Sequence, residues 1–177
     1  AMDFLTRQNK LVAGDPPHAP ELSALGKRVI VIGGGDTGAD CVGTAHRQRA
    51  ASVLQIEVMP RPPEGRPEDN PWPQWPLIMR SSTSHEEGGE RDWAIMSKRF
   101  LGQDRVTGIE AVRVEVQHEG GRTRFVEVPG TEVVLEADLV LLAIGFSGPE
   151  THALTEQLGV ALDGRGNVQT DAGYATN

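Results

Sequence analysis

The chain has 177 residues, which is enough for one domain with a real core and too few for two ordinary domains. Its 25 Asp and Glu residues outnumber 17 Lys and Arg residues, and this excess of acid argues against a surface that binds nucleic acid or an anionic membrane. The single cysteine, Cys41, excludes an internal disulfide, a four-cysteine zinc site and an iron–sulfur cluster held by this chain alone. No apolar run approaches the roughly 20 residues of a membrane helix, so we expect a soluble, cytoplasmic protein.

The first third of the chain predicts alternating helices and strands. Residues 2–12 have apolar side chains at helical spacing, and residues 1–25 as a whole are expected to form a linker helix and a connection. Residues 29–32 are all apolar and β-branched, which is typical of a strand buried on both faces of a parallel sheet. Residues 37–49 then fit a helix, and residues 52–59 fit a second strand.

The middle of the chain is less regular. Residues 60–93 are rich in Pro, Trp and charge, and we interpret this Pro/Trp-rich segment as a loop insertion, either a gating or docking loop or a surface loop packed on itself. Residues 94–101 predict a short helix. Residues 106–137 alternate in three stretches separated by glycine-containing turns, which predicts a small antiparallel β-meander. Residues 139–144 form another fully apolar run and predict a further buried strand.

A glycine-rich loop follows the first predicted strand. It contains the pattern G-x-G-x-x-G, in which Gly33 allows a sharp turn, Gly35 lets a pyrophosphate approach the backbone, and Gly38 lets helix and strand pack closely. A strand precedes the loop and a helix follows it, which is the context that a dinucleotide site requires. The predicted nucleotide-binding residues of this loop are Gly33, Gly34, Gly35, Asp36, Thr37 and Gly38.

Two charged residues, one near the end of the second strand and one just after it, bear on the choice of nucleotide. Glu57 follows Gly38 by 19 residues, where a carboxylate accepts hydrogen bonds from ribose hydroxyls, although a solvent-facing strand glutamate fits the same spacing. Arg61 is placed to meet a 2′-phosphate, or else it is a loop arginine without a contact. We therefore predict NADH or NADPH as the cofactor, with a modest preference for NADH.

The other reactive side chains do not predict a catalytic nucleophile or a metal site. Cys41 shares the inner face of its predicted helix with Val42, and we assign it to core packing rather than to a nucleophile. His85 and Glu86 match only the start of a zinc-protease motif, because residue 89 is glycine, and the five histidines show no ligand spacing. We predict no metal site, and we name no catalytic acid, base or nucleophile in this chain.

Several blocks of sequence resemble the pyridine-nucleotide domain of the glutamate synthase small subunit. They are the glycine loop with its flanks at 29–41, PRPPE at 60–64, NPWPQWP at 70–76, KRF at 98–100 and ADLVLLAIGF at 137–146. The glycine loop is shared by many flavoproteins that bind two dinucleotides. The NPWPQWP block is far more particular, and the similarity extends over nearly the whole chain.

The resemblance implies an α/β fold, with a Rossmann-like parallel sheet and an antiparallel β-meander, as in FAD- and NAD(P)-binding flavoprotein reductases. It implies an NAD(P)H-binding domain over 26–150 and a return segment over 151–177 that leads toward a flavin domain. It also implies that Ile144 and Gly145, after the late strand, belong to the nucleotide site. FAD and iron–sulfur clusters are then expected only in parts of the parent subunit that this chain lacks.

The function that the resemblance implies is hydride delivery from NAD(P)H to FAD, for the synthesis of glutamate from glutamine and 2-oxoglutarate. The implied partners are the flavin domain of the same full-length chain and the large subunit of glutamate synthase. Two alternatives stay open at this point. One is the nucleotide domain of a related FAD and iron–sulfur reductase, and the other is a non-catalytic module that senses nucleotide.

Overall fold

The computed structural model describes residues 1–16, 19–120, 122–150 and 154–177, and it divides the chain into two compact units, 1–144 and 145–177. Helices and strands alternate as far as the third strand, five more strands complete the first unit, and a short helix lies in the second unit. In chain order they are α1 (Met2–Val12), β1 (Arg28–Ile32), α2 (Asp36–Arg47), β2 (Ser52–Glu57), α3 (Thr83–Glu86), β3 (Glu90–Trp93), β4 (Ile95–Leu101), β5 (Gly108–Glu119), β6 (Arg122–Glu127), β7 (Val133–Glu136), β8 (Leu139–Leu142) and α4 (Leu154–Gln157).

A four-stranded parallel sheet organises the first unit, with strand order β3-β2-β1-β8. The central strand β1 is buried on both faces. On one face Val29 and Val31 pack with Cys41 of α2, and on the other Ile30 packs with Ile109 of β5. The predicted α/β fold with a parallel sheet is thus confirmed, because the all-apolar run is covered from both sides.

An antiparallel sheet covers the second face. The long strand β5 pairs with β4, β6 and β7, so it is the hub of this sheet. The predicted meander would pair each strand with the next, whereas β7 pairs with β5 rather than with β6. The antiparallel character is as predicted, and the strand order differs.

The prediction of a short helix over 94–101 is wrong, because residues 95–101 form β4. Met96 pairs with Val112 and Phe100 with Ile109 along the edge of β5. An isolated helix of eight residues is marginal, and the open edge of β5 offers a backbone partner for every second residue. Tertiary pairing therefore overrides the local preference.

The Pro/Trp-rich segment is not entirely loop. It contains the short helix α3 and, at its end, the strand β3, which pairs in parallel with β2. The sequence of β3 is Glu-Arg-Asp-Trp, and three of its four residues are partly buried. An edge strand this polar lacks the apolar run by which a parallel strand is usually found in sequence.

Residues 1–25, predicted to be a linker helix and a connection, also contribute side chains to the hydrophobic core. Phe4 of α1 and Ala24 are fully buried and belong to the same apolar cluster as Val29 and Val42.

In the second unit, Leu162 and Val168 form an isolated β-bridge around a turn in which Asp163 accepts backbone hydrogen bonds. Within the described part of the chain, every helix is too short or too polar to cross a membrane.

Candidate functional site

The glycine loop leaves β1 at the carboxyl edge of the parallel sheet. Gly33 has a φ of +122°, and a Cβ at this position would overlap the carbonyl oxygen of Ala143. A Cβ on Gly38 would overlap the carbonyl oxygen of Gly33. By contrast, a Cβ on Gly35 would meet no described atom within 4 Å. Two glycines thus close the turn, and the third leaves open space in front of the backbone where α2 begins.

A cavity of about 530 Å³ lies in front of this loop. Of the sequence-predicted residues, Gly34, Gly35, Asp36, Glu57 and Arg61 line it. The Pro/Trp-rich segment forms the other wall, and it contributes Pro60, Pro62, Pro63, Trp75, Pro76, Leu77, Ile78, Arg80, Ser82 and His85. The start of α2, with the positive end of its helix dipole, therefore faces a cavity of the size of a small-molecule site.

Glu57 ends β2 and lies against the glycine loop. Its carboxylate occupies the space that a Cβ on Gly34 would need. Burial raises the pKa of Glu57, and the positive charge of Arg91 acts in the opposite direction. Glu57 is half-buried in the wall of the cavity, so the alternative of a solvent-facing strand residue does not describe it.

Three arginines stack on tryptophans beside the cavity. Arg61 lies 5.3 Å from the ring centre of Trp93 and forms an ion pair with Glu64 at 2.8 Å. Arg91 lies 5.1 Å from the same ring, and Arg80 lies 4.2 Å from the ring centre of Trp75. Arg61 therefore has contacts of its own, and the cavity contains a second guanidinium, Arg80, that the sequence did not single out.

Sequence reasoning missed Gln55 and set His85 aside with the incomplete zinc motif. Gln55 is 2% exposed in the middle of β2, and its Nε2 donates to the carbonyl oxygen of Gly33 at 2.8 Å. Its Oε1 lies 2.9 Å from Nε2 of His85. A glutamine between the apolar residues Leu54 and Ile56, in the middle of a strand, was the available signal, because a buried amide needs partners.

The remaining predicted residues do not line the cavity. Gly33 and Gly38 pack against backbone carbonyl groups instead, and Thr37 is half-buried in the first turn of α2. The side chain of Ile144 is 72% exposed, although its backbone nitrogen lies near Gly33. Gly145 begins the second unit. A role for these residues in nucleotide binding stays a prediction.

Cys41 lies fully buried in α2, and burial raises the pKa of its thiol to about 11. A thiol held protonated among apolar side chains is suited to packing rather than to nucleophilic attack. Among the residues that the structure describes, no three His, Cys, Asp or Glu side chains are arranged to hold a metal ion. Two of the five histidines, at positions 18 and 152, lie outside the described residues.

Comparison with known proteins shows the family to which the chain belongs. Residues 2–177 match the pyridine nucleotide-disulphide oxidoreductase family. The chain is 48% identical over 182 aligned residues to the glutamate synthase [NADPH] small chain of Mycobacterium tuberculosis, with all of this chain and 36% of that protein covered. It is 51% identical over 159 residues to the glutamate synthase [NADH] of Saccharomyces cerevisiae, with 85% of this chain and 7% of that protein covered.

A solved structure shows the same fold. The oxidoreductase FprA of Mycobacterium tuberculosis, solved in complex with NADPH, superposes with a TM-score of 0.57 at 16% identity. The match covers 86% of this chain and 45% of FprA. The chain spans about a third of the length of the small chain that it matches, since 36% of that protein is covered. The chain therefore belongs to the pyridine nucleotide-disulphide oxidoreductase family and is a homologue, over its whole length, of part of the glutamate synthase small chain.

Proposed function

We propose that the chain is the NAD(P)H-binding domain of a glutamate synthase small subunit. The observation that carries this proposal is the glycine loop, in which Gly35 leaves open space in front of the positive end of α2 and faces a cavity of about 530 Å³. The small-chain relatives, whose names include NADPH, support the same assignment. Backbone N–H groups at the start of α2 would hold the pyrophosphate, and Glu57 would accept from a ribose hydroxyl.

In the proposed subunit, this domain orients the nicotinamide so that hydride passes to FAD. Electrons then continue through iron–sulfur clusters to the large subunit, where glutamine nitrogen and 2-oxoglutarate yield glutamate. FAD and the clusters supply the redox chemistry, and the residues of this chain supply binding and orientation. The proposed partners are therefore a flavin domain and the glutamate synthase large subunit, in the cytoplasm, which the lone unpaired Cys41 favours.

Two measurements test the proposal. Calorimetric titration of the chain with NADH and NADPH should give saturable binding with one site per chain. In a full-length subunit that contains this sequence, anaerobic addition of the nucleotide should bleach the flavin absorption, and glutamate should form when the large subunit is added. If neither nucleotide binds, or if the subunit reduces flavin but supports no glutamate formation with any large subunit, the assignment is wrong.

A further inference from the structure

A chain of partly buried side chains connects α3 to the glycine loop. Gln55 donates from Nε2 to the carbonyl oxygen of Gly33, at 2.8 Å, and its Oε1 lies 2.9 Å from Nε2 of His85. On the far side of the imidazole, Nδ1 of His85 lies 3.2 Å from the backbone nitrogen of Ser82 and 3.1 Å from its hydroxyl. The chain of contacts runs from Ser82 through His85 and Gln55 to Gly33.

Both ends of this chain of contacts fix the same proton position. A carbonyl oxygen only accepts, so the Gln55 amide must turn its NH₂ group to Gly33 and its oxygen to His85, and Nε2 of His85 must donate. At the other end the backbone N–H of Ser82 only donates, so Nδ1 of His85 must accept. The geometry therefore requires a neutral imidazole with its proton on Nε2.

The contact with the Gly33 carbonyl also affects Gly34, the next residue, which lines the cavity. The carbonyl of Gly33 and the N–H of Gly34 belong to one planar, trans peptide group, and they point in opposite directions. A bond that fixes the Gly33 carbonyl therefore also fixes the Gly34 N–H on the opposite side of the peptide, and Gly34 lines the cavity. The same carbonyl touches the start of α2, because a Cβ on Gly38 would overlap it.

We propose that neutral His85 is a positioning residue, which sets the amide of Gln55 and through it the Gly33–Gly34 peptide for dinucleotide binding. The proposal rests on the nucleotide-binding function proposed above. Protonation of Nδ1 would turn an N–H toward the N–H of Ser82, and two donors repel where one hydrogen bond stood. In cationic His85 the new Nδ1–H would turn to the Ser82 hydroxyl, 3.1 Å away, and the movement of the ring away from the Ser82 N–H would disturb the contact that orients the Gln55 amide.

The charges around His85 determine where this change falls on the pH scale. Asp36, Glu57, Arg61 and Arg80 line the same cavity, and Arg91 approaches from β3. On the neighbouring side Arg47 of α2 pairs with Glu87, the ring of His46 lies against Gly88 and Gly89, and α3 itself contains Glu86. Burial, and to a lesser extent the charge of Arg91, hold the pKa of His85 below its usual value of 6.5.

The direction of the pH effect distinguishes positioning from simple attraction. If neutral His85 positions the loop, affinity is complete above the pKa of His85 and is lost as the pH falls through it. If His85 acts only through its charge, protonation strengthens binding, because a cation beside the cavity attracts the pyrophosphate. The two roles therefore predict opposite slopes.

The first test uses the free chain, so it does not depend on nucleotide binding. Nitrogen-15 NMR of the imidazole should show the Nε2-protonated form of His85 at about pH 8. On acidification, the amide resonance of Gly34 should shift with the same midpoint as the His85 ring. A proton on Nδ1, or a Gly34 amide that does not follow His85, would overturn the proposal.

The second test is the affinity for NAD⁺, which lacks the titrating 2′-phosphate, measured by calorimetry between about pH 5 and 8. Affinity should fall by up to about tenfold for each pH unit below the midpoint of His85, since one proton is linked. His85→Leu should weaken binding about tenfold at neutral pH, because the Gln55 oxygen loses its donor. His85→Gln should recover part of this loss, because its amide N–H reaches toward Gln55, and its affinity should no longer follow the His85 midpoint.

The control is His118→Gln, which removes an exposed imidazole on β5. Its affinity for NAD⁺ should depend on pH as it does in the unaltered chain. Tighter NAD⁺ binding on acidification of the unaltered chain, or an equal pH slope in His85→Gln, would refute the positioning role. If His85→Gln does not fold, the titration of the unaltered chain still decides. An absence of nucleotide binding at every pH would refute the proposed function, while the NMR experiment on the free chain decides separately whether His85 sets the loop.

Discussion

The carboxylate of Glu57 fills the space beside Gly34 that a side chain at residue 34 would need. This contact brings an acid from the end of β2 to the backbone of the dinucleotide loop, within the wall of the same cavity. Arg61 is in that wall as well, but it is paired with Glu64 and lies over Trp93. The acid is therefore held close to the loop, and the guanidinium is partly neutralised by a neighbour.

We expect the chain to bind NADH more tightly than NADPH by a modest margin. A 2′-phosphate beside Glu57 meets like charge, and Glu57→Gln should remove this penalty and shift the preference toward NADPH by about tenfold. Calorimetric titration of both nucleotides against both chains measures the shift. Tighter NADPH binding that is lost in Arg61→Ala would show that Arg61, and not Glu57, controls the choice.

Gly35→Val should abolish nucleotide binding and leave the fold intact. A Cβ at this position meets no described atom within 4 Å, and the backbone of Gly35 is extended, with a φ of −81°. The new side chain would instead occupy the space that the pyrophosphate needs. Affinity by calorimetry and thermal unfolding by circular dichroism measure the two effects.

The matched control is Gly164→Val in the second unit, where a Cβ also has open space among the described residues. It should leave both the affinity and the melting temperature unchanged. Undiminished binding by Gly35→Val would place the nucleotide elsewhere on the chain.

Gly38→Ala should destabilise the fold, unlike the change at Gly35. Its Cβ would overlap the backbone carbonyl of Gly33 and approach Nε2 of Gln55 at 2.7 Å, and neither group moves freely. Forcing one extra carbon into a packed site costs about 1–3 kcal/mol. Urea unfolding measures this loss against Gly35→Ala, which should unfold like the original chain. Equal stability of the two variants would mean that the loop relaxes without cost.

The purified chain should bind nucleotide but no flavin. It contains one G-x-G-x-x-G pattern, at residues 33–38, whereas a reductase that binds both FAD and NAD(P)H has two. We therefore expect a colourless protein without NAD(P)H-dependent dye reduction, which a visible spectrum and a diaphorase assay check. A yellow protein with a flavin spectrum would contradict this expectation.

Cys41 should be unreactive in the folded chain near neutral pH. Burial raises the pKa of its thiol to about 11, so the thiolate forms only as the pH rises toward that value. Reaction with a chromogenic disulfide should be slow at about pH 8 and fast once urea unfolds the chain. Rapid labelling without denaturant would show that α2 opens readily.

The sequence alone determined the features that depend on local chemistry and spacing. The all-apolar run 29–32 identified the central strand, because only burial on both faces explains a strand without polar positions. The glycine spacing identified the turn into α2, because each of Gly33 and Gly38 lies where a side chain would collide with backbone. The acid at Glu57 was found by its distance along the chain from the loop.

Only the tertiary structure decided which segments pair and which polar groups meet. Residues 95–101 became a strand because the edge of β5 satisfies their backbone, a partner that no local pattern reveals. Gln55 and His85 are 30 positions apart, and they meet because β2 and α3 both pack against α2. Sequence periodicity reports which face of an element is buried, whereas a hydrogen bond between distant side chains depends on where those faces come together.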